Sequence, residues 1–309
     1  MYKLTEEEIE NIVNKGAESL CDYCIESGIH HVITGSSGGL DSAVKLGFAQ
    51  RAAQLAEKKD FNLTSVGLIM PCHSKPEAER LGRKAIRKFN AEEIYLDFTD
   101  LFEFAYQNVV SDNIQIKRIL ERTGGQQALK NWNWAKKIAQ GNIKARLRMT
   151  FGTYHVARMM EGIVLSTDNL SEFWMAFWTL HGDVGDFGII QNILKGLELY
   201  DIARFLDVPR EIIDAKSDDG LDVSGGDENQ LGADYSTIDQ IMIKLIQAGF
   251  DPDGSANQLE NLSEIGINCE PKIIYNLAKR CLSGSFKRKG SIVLSRQALG
   301  LTPIDKLKL

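Results

Sequence analysis

The residues Gly35, Ser36, Ser37, Gly38, Gly39, Leu40, Asp41 and Ser42 combine several kinds of chemistry in one short run. Adjacent glycines let a backbone turn tightly and point several N–H groups inward, and a helix beginning beside them adds the partial positive charge of its first turn. Ser37 and Ser42 can donate hydroxyls. The run is a candidate cradle for phosphate. Asp41 would repel a bare phosphate, so it makes sense there only if it holds a divalent cation that the phosphates share. No Walker A lysine accompanies the run. A glycine-rich turn without a ligand is the plain alternative, but Ser-Gly-Gly-x-Asp-Ser is far more specific than glycines after a strand.

Such a cradle needs a strand before it and a helix after it. Val32 and Ile33 form a short apolar run ahead of Gly35, and Ser42 to about Lys58 reads as a helix. Ahead of both, Thr5 and Glu8 make a capping box, and Ile9, Ile12, Val13, Leu20 and Cys24 recur at helical spacing up to Gly28. Two further apolar runs, 65–70 and 93–98, flank a helical segment from Pro76 to Phe89, and 162–166 is a fourth buried strand. Between them, Arg118 to Arg158 is helical, with Ile143, Leu147, Phe151 and Tyr154 expected on one face. Short apolar strands separated by helices specify an α/β fold with a doubly wound parallel sheet and a helical C-terminal part. Ligands bind beyond the carboxyl ends of such strands. Those ends are 35–41, 71–74, 97–100 and 167–172. The stretch 216–234 is rich in acids and glycines and is expected to be a mobile loop.

The bulk composition narrows the classes further. At 43% hydrophobic and 25% charged, the chain is that of a folded globular protein, and 309 residues suit one large α/β domain over 1–309. Its 36 basic against 42 acidic residues give a formal charge of −6, without the global field that drives nonspecific nucleic-acid binding. No run of about 18 apolar residues is present, and acids crowd the first residues, so no membrane span and a cytoplasmic location are expected. The 5 cysteines lack paired spacing and are expected to be reduced.

Residues 37–42 resemble the pyrophosphate loop of the N-type ATP pyrophosphatases, which cleave ATP between its α and β phosphates. Within that superfamily the chain is most similar to the NAD synthetase family. The likeness is carried by Gly141 to Arg146, by Thr167, Asp168, Asn169, Leu170, Ser171 and Glu172, and by Gly182, Asp183, Leu194 and Lys195. It continues through Asp227, Glu228, Leu231, Gly232, Tyr235, Ile238 and Asp239. The resemblance implies an ammonia-dependent ligase. It would adenylate the carboxylate of deamido-NAD with ATP, release pyrophosphate, and let ammonia displace AMP. It further implies that Gly35 to Ser42, Thr167, Lys195 and Ser217 contact ATP, and that Asp41 and Glu172 hold Mg2+. Arg146, Asp186 and Lys287 would contact deamido-NAD. A homodimer with deamido-NAD at the subunit interface is implied as well, and no glutamine-using amidase domain. The residue types fit, since pyrophosphate leaves only if metal, lysine and oriented N–H groups absorb its developing charge. Taken singly, each has a plain reading: Arg146 and Lys195 as solvated helix charges, Asp186 as a turn residue, Glu172 as a first-turn acid.

The chain also departs from the family pattern. Ser166 replaces a usual glycine, the 182–186 turn is one residue short, Leu180 stands where a lysine is common, and Phe286 stands where a histidine precedes Lys287. All four fall on the acid side of the site, so the resemblance carries adenylation further than the identity of the acid. Two alternatives follow. Lys130, Trp132, Trp134, Lys136, Lys137, Lys144, Arg146 and Arg148 interleave bases and aromatics, as an RNA-modifying relative would need; the plainer reading is packed tryptophans beside solvated lysines. Leu180, Val184 and Phe286 could instead mark a paralogue with another acid substrate, or a silent nucleotide-binding one. Arg80, Arg83, Lys84, Arg87 and Lys88 read as a solvated helical stripe, and Phe286 to Lys289 as a basic spot. Cys21 and Cys24 lack the second pair of a zinc site. His73, at a strand end, has no assigned role.

Overall fold

The computed structural model describes residues 2–110, 114–182, 184–216, 226–291 and 293–306. Its centre is a four-stranded sheet in the order β3-β2-β1-β4, with β1 at His31–Gly35, β2 at Thr64–Ile69, β3 at Glu92–Tyr95 and β4 at Ile163–Val164. Every pairing is parallel, in a register that aligns Ile33 with Val66 and with Val164. Beyond β4, an isolated parallel bridge joins Leu165 to Phe187.

Parallel strands are buried on both faces, and their alternation decides what each face meets. Val32, Ile163 and Leu165 pack with Leu20, Cys24, Ala49 and Ala52, from α1 (Glu6–Ser27) and α2 (Leu40–Glu57). Ile69 packs with Leu81 and Ile86 of α3 (Pro76–Lys88). On the opposite face Ile33, Val66, Leu68 and Val164 meet Val156 and Ala157. The capping box of α1 forms as expected, and Gly28 ends that helix in the left-handed conformation.

After β3 the chain runs through α4 (Thr99–Ala105), α5 (Ile114–Arg122), α6 (Gln126–Lys130), α7 (Trp132–Leu147) and α8 (Tyr154–Met159). A π-helical turn, Arg148–Thr153, separates α7 from α8 and resets the helical face. Ile143 and Leu147 accordingly pack with Phe98 and Phe102, whereas Phe151 is exposed, contrary to the uninterrupted face expected. The C-terminal part comprises α9 (Leu170–Trp174), a π-helical turn Lys195–Leu199, α10 (Tyr200–Phe205), α11 (Arg210–Ile213), α12 (Asp227–Leu231), α13 (Tyr235–Gln247), α14 (Pro271–Ser283) and α15 (Ser285–Arg288). Met175, Leu231, Ile238, Met242, Leu277 and Ala278 form its own core.

Three basic features change meaning once folded. The α3 stripe is paired rather than merely solvated: Arg80 and Lys84 both bind Glu211, Arg83 binds Glu79 and Glu93, and Lys88 binds Asp207. Lys117, Lys136 and Lys144 lie over the rings of Trp132, Tyr106 and Phe102, and Lys144 is buried. Those three rings thus meet cations of the same chain, while Trp134 is exposed. The basic spot near the end is likewise structural at Arg288, whose side chain is 2% exposed and binds Asp253 and the carbonyls of Phe173, Trp174, Pro252 and Cys281. Among the described residues no helix is long and apolar enough to cross a membrane.

The sheet order puts the topological switch between β1 and β4, since the chain moves outward from β1 to β3 and then returns to the other side of β1. Helix α3 closes one side of the loop after β1. Gly38 has φ +85°, and a Cβ there would lie 2.2 Å from the Ala78 carbonyl oxygen. Gly28, at φ +65°, faces open space. Gly38→Ala should therefore displace the loop from α3 and lower the unfolding midpoint well beyond Gly28→Ala, which carries only the left-handed penalty of about 1–2 kcal/mol. Denaturant unfolding of the two variants checks this, and equal losses would contradict it.

Candidate active site

The loop from Gly35 to Ser42 leaves the carboxyl end of β1 and runs into α2. The Ser36 amide donates to the Leu68 carbonyl (2.8 Å) and its hydroxyl to the Gly82 carbonyl (3.0 Å), tying the turn to β2 and α3. Ser42 Oγ donates to the Gly39 carbonyl (2.9 Å) and Ser37 Oγ to Ser42 Oγ (3.3 Å). No side chain caps α2 at Gly39, which leaves its first turn suited to an anion. Asp41 lies in that first turn and points across the switch.

The facing wall comes from the segment after β4. Asn169 caps α9 in a reciprocal capping box with Glu172, and its side-chain amide donates to Asp41 Oδ1 at 2.6 Å. Lys195 then enters between the two acids. Its Nζ lies 3.0 Å from Asp41 Oδ2, 2.8 Å from Glu172 Oε1 and 4.0 Å from Asp227 Oδ2, and 4.3 Å from the centre of the Tyr235 ring. The Tyr235 hydroxyl completes the group, donating towards Glu172 Oε1 (3.2 Å) and Asp227 Oδ2 (3.3 Å).

These groups share a buried field. Burial works against the Lys195 ammonium, but Asp41 and Glu172, with Tyr235 and Asp227, outweigh it and hold its pKa well above the ordinary lysine value. The Glu172 carboxyl is pushed up to about 7, by burial first and then by Asp41 and Asp227, which Lys195 only partly offsets. Burial also raises the Tyr235 hydroxyl, aided by Glu172. Three carboxylates thus share one ammonium. That excess of negative charge fits a divalent cation. Among the described residues no group of three or more His, Cys, Asp and Glu is already arranged around a metal position. Mg2+ commonly takes one or two carboxylates and completes its shell with water and phosphate oxygens, and Asp41 and Glu172 would supply the protein's share.

The other residues singled out in the sequence lie in different places. Thr167 follows β4 at the same edge, with its hydroxyl 3.2 Å from Asp168 Oδ1. Arg146, on α7, donates to the Leu180 carbonyl, while the Lys287 Nζ donates to the carbonyls of Ala176 (2.9 Å) and Trp178 (2.6 Å). Both therefore converge on 176–180. The Asp186 carboxylate accepts from the Val164 amide and the Tyr154 hydroxyl, each at 3.0 Å. Ser217 and Asp183 lie outside the described residues, as does 217–225 of the acidic stretch. The remainder of that stretch is not simply a loop, because α12 forms and Asp227 is buried in the site. His73 has φ +54° and its Nε2 lies 2.6 Å from Glu103 Oε1.

Asn169, Asp227 and Tyr235 were not assigned roles from sequence, although all belong to the stretches that carry the resemblance. So does Asp239, which is fully buried. Its carboxylate accepts from Ser171 Oγ (2.5 Å) and the Gly196 amide (2.8 Å), and burial pushes its pKa up to about 6 against those hydrogen bonds.

The family model for NAD synthase matches residues 12–290. An NH(3)-dependent NAD(+) synthetase of Methanocaldococcus jannaschii is 32% identical over 257 residues, covering 80% of this chain and 85% of that one. Among solved structures, NMN synthetase from Francisella tularensis superposes with a TM-score of 0.66 at 23% identity, covering 93% of this chain and 98% of its own. NH3-dependent NAD synthetase from Campylobacter jejuni gives 0.65 at 20%, covering 93% and 99%. These two likenesses establish the fold.

The Asp239 shift has a signed consequence. Its folded pKa of about 6 exceeds the ordinary 3.8, so this group's contribution to stability is fully present below pH 4 and is lost as pH rises through 6. The loss is on the order of 3 kcal/mol. The unfolding free energy of the wild type minus that of Asp239→Asn should fall between pH 4 and 6 and level off above 7. A difference that grows across that window would be the contrary result.

Proposed function

The chain belongs to the NAD synthase family, and on that premise we propose that it joins ammonia to the nicotinate carboxylate of deamido-NAD, with ATP as the activating substrate. A carboxylate is a poor acyl electrophile at neutral pH, so it must first gain a leaving group. A carboxylate oxygen of deamido-NAD attacks the α-phosphorus of ATP, and the bond from that phosphorus to the α,β-bridging oxygen breaks. Pyrophosphate leaves with the negative charge. Ammonia then attacks the acyl carbon, AMP departs on the carboxylate oxygen, and the nitrogen loses a proton to give the amide.

The observation that carries the reading is the convergence of Asp41, Glu172 and Lys195 where β1 and β4 diverge, in a chain that matches the family over most of its length. In this reading the loop amides and Ser37 and Ser42 hold the phosphates, and Thr167 and Ser217 also contact ATP. Lys195 shifts from its two carboxylates to the phosphate oxygens. There its charge offsets what develops on pyrophosphate. Asp41 and Glu172 would hold Mg2+, which would supply Lewis acidity to the phosphates. Arg146 and Lys287, which both bind carbonyls of 176–180, hold the deamido-NAD end. Asp186 keeps β4 in place through Val164, and would meet substrate only at its exposed edge. The contribution of the protein is positioning and charge stabilisation.

The homodimer is proposed on the surface left by α4 to α8, where Phe104, Trp134, Phe151 and Met159 are all exposed. Sedimentation should give twice the 34.5 kDa chain mass, and a monomer at assay concentration would contradict it.

Pyrophosphate release from ATP and Mg2+ should require deamido-NAD, and NAD should appear only when ammonium is added. Asp41→Ala should lower the rate by about 10²-fold or more. Nicotinate mononucleotide, offered in place of deamido-NAD, serves as the comparison acid. ATP binding without turnover of deamido-NAD would overturn the proposal, and faster turnover of the mononucleotide would reassign the acid.

A further inference from the structure

Asp239 is a buried carboxylate that the chemistry above does not use. Among the described residues it pairs with no lysine or arginine; its partners are hydroxyl and amide. Ser171 Oγ donates to Oδ1 and accepts from the Lys195 amide (2.8 Å). The Gly196 amide donates to Oδ2, and the Leu197 amide also donates to the carboxylate. These three consecutive amides open the helical run that begins at Lys195, where the preceding Leu194 offers no side-chain cap. Helix starts of this kind need an acceptor, and a negative one is favoured by the aligned dipoles. Here Asp239 and Ser171 supply it from other elements.

A second contact fixes the same backbone. A Cβ on Gly196 would lie 2.3 Å from the Ser236 amide nitrogen and 2.4 Å from the Tyr235 carbonyl carbon, so α13 presses directly on this turn. Tyr235 and Asp239 are one helical turn apart on α13 and share its inward face. The first reaches Glu172 and Asp227, the second the backbone that carries Lys195. Ser171, which links them, is the residue before Glu172.

We propose that Asp239 is a positioning residue of the reaction: through Ser171 and the amides of 195–197 it sets the Lys195 ammonium against the nucleotide phosphates and holds Glu172 beside it. The inference rests on the proposed function only in taking Lys195 as the phosphate contact. Asparagine at 239 keeps the size but accepts on one oxygen and turns an amide N–H toward a donor, so the turn must shift. A shift of this kind behind a site residue commonly costs about 10–100-fold in activity or affinity.

The test is a double-mutant cycle between residues 239 and 195, read as the Kd for MgATP and as kcat for pyrophosphate release. Asp239→Asn should weaken both by about tenfold or more in the wild type, and should have almost no effect in the Lys195→Ala background. Hydrogen exchange at the amides of 195–197 should rise in step. Ser171→Ala, which severs the link while leaving Asp239 its two amides, should repeat the coupling and carries the test if Asp239→Asn does not fold. Equal losses in both backgrounds mark a merely structural carboxylate and overturn the proposal. Lys195→Ala without effect on MgATP affinity overturns the phosphate role of Lys195, and this inference with it. An effect of Lys195→Ala with additive Asp239→Asn overturns the positioning role alone.

Discussion

The arrangement depends on one ammonium held among too many carboxylates. Lys195 is buried with Asp41 and Glu172 on either side and Asp227 behind. An isolated buried ammonium would be costly, and so would any of the acids without it. Each element that enters the switch between β1 and β4 therefore has to deliver its charge to the same point: α2 delivers Asp41, α9 delivers Glu172, α12 delivers Asp227, and the turn before α10 delivers Lys195. The residual negative charge keeps the group from being a finished salt bridge and is the basis for proposing that it takes a divalent cation and its phosphates.

That constraint explains why the site is built on rigid pieces. Asn169 caps α9 and also binds Asp41, so one side chain fixes both the start of the helix and the distance across the crevice. Gly38 allows α3 to lie against the loop, and Gly196 allows α13 to lie against the Lys195 turn. In both places the missing side chain permits two backbones to approach closely, which sets the loop and the lysine from opposite sides.

The legible part of the sequence was the local part. A strand, a glycine-rich turn and a helix are consecutive in the chain, so β1, the loop and α2 could be read from spacing and turn chemistry, with α2 beginning at Leu40 rather than Ser42. The parallel order followed from alternating strands and helices. The long-range partners were another matter. Tyr235 and Asp239 stood only among the residues that carry the resemblance, and Asp227 as one of several acids among glycines, because nothing local distinguishes a residue that meets Glu172, Ser171 or Lys195 from more than 30 positions away. The π-helical turn at 148–153 defeats a fixed period for the same reason: tertiary packing, not the pattern, inserts it. Asp186 entered through the resemblance alone, and its bonds to the Val164 amide and the Tyr154 hydroxyl had no local signal.

The account stands most directly on where the nucleotide sits. A structure determined with ATP and Mg2+ bound should show the phosphates against the loop from Gly35 to Ser42, with the Lys195 ammonium moved from Asp41 and Glu172 to a phosphate oxygen. A nucleotide seated elsewhere, with Lys195 still bridging its two carboxylates, would contradict it.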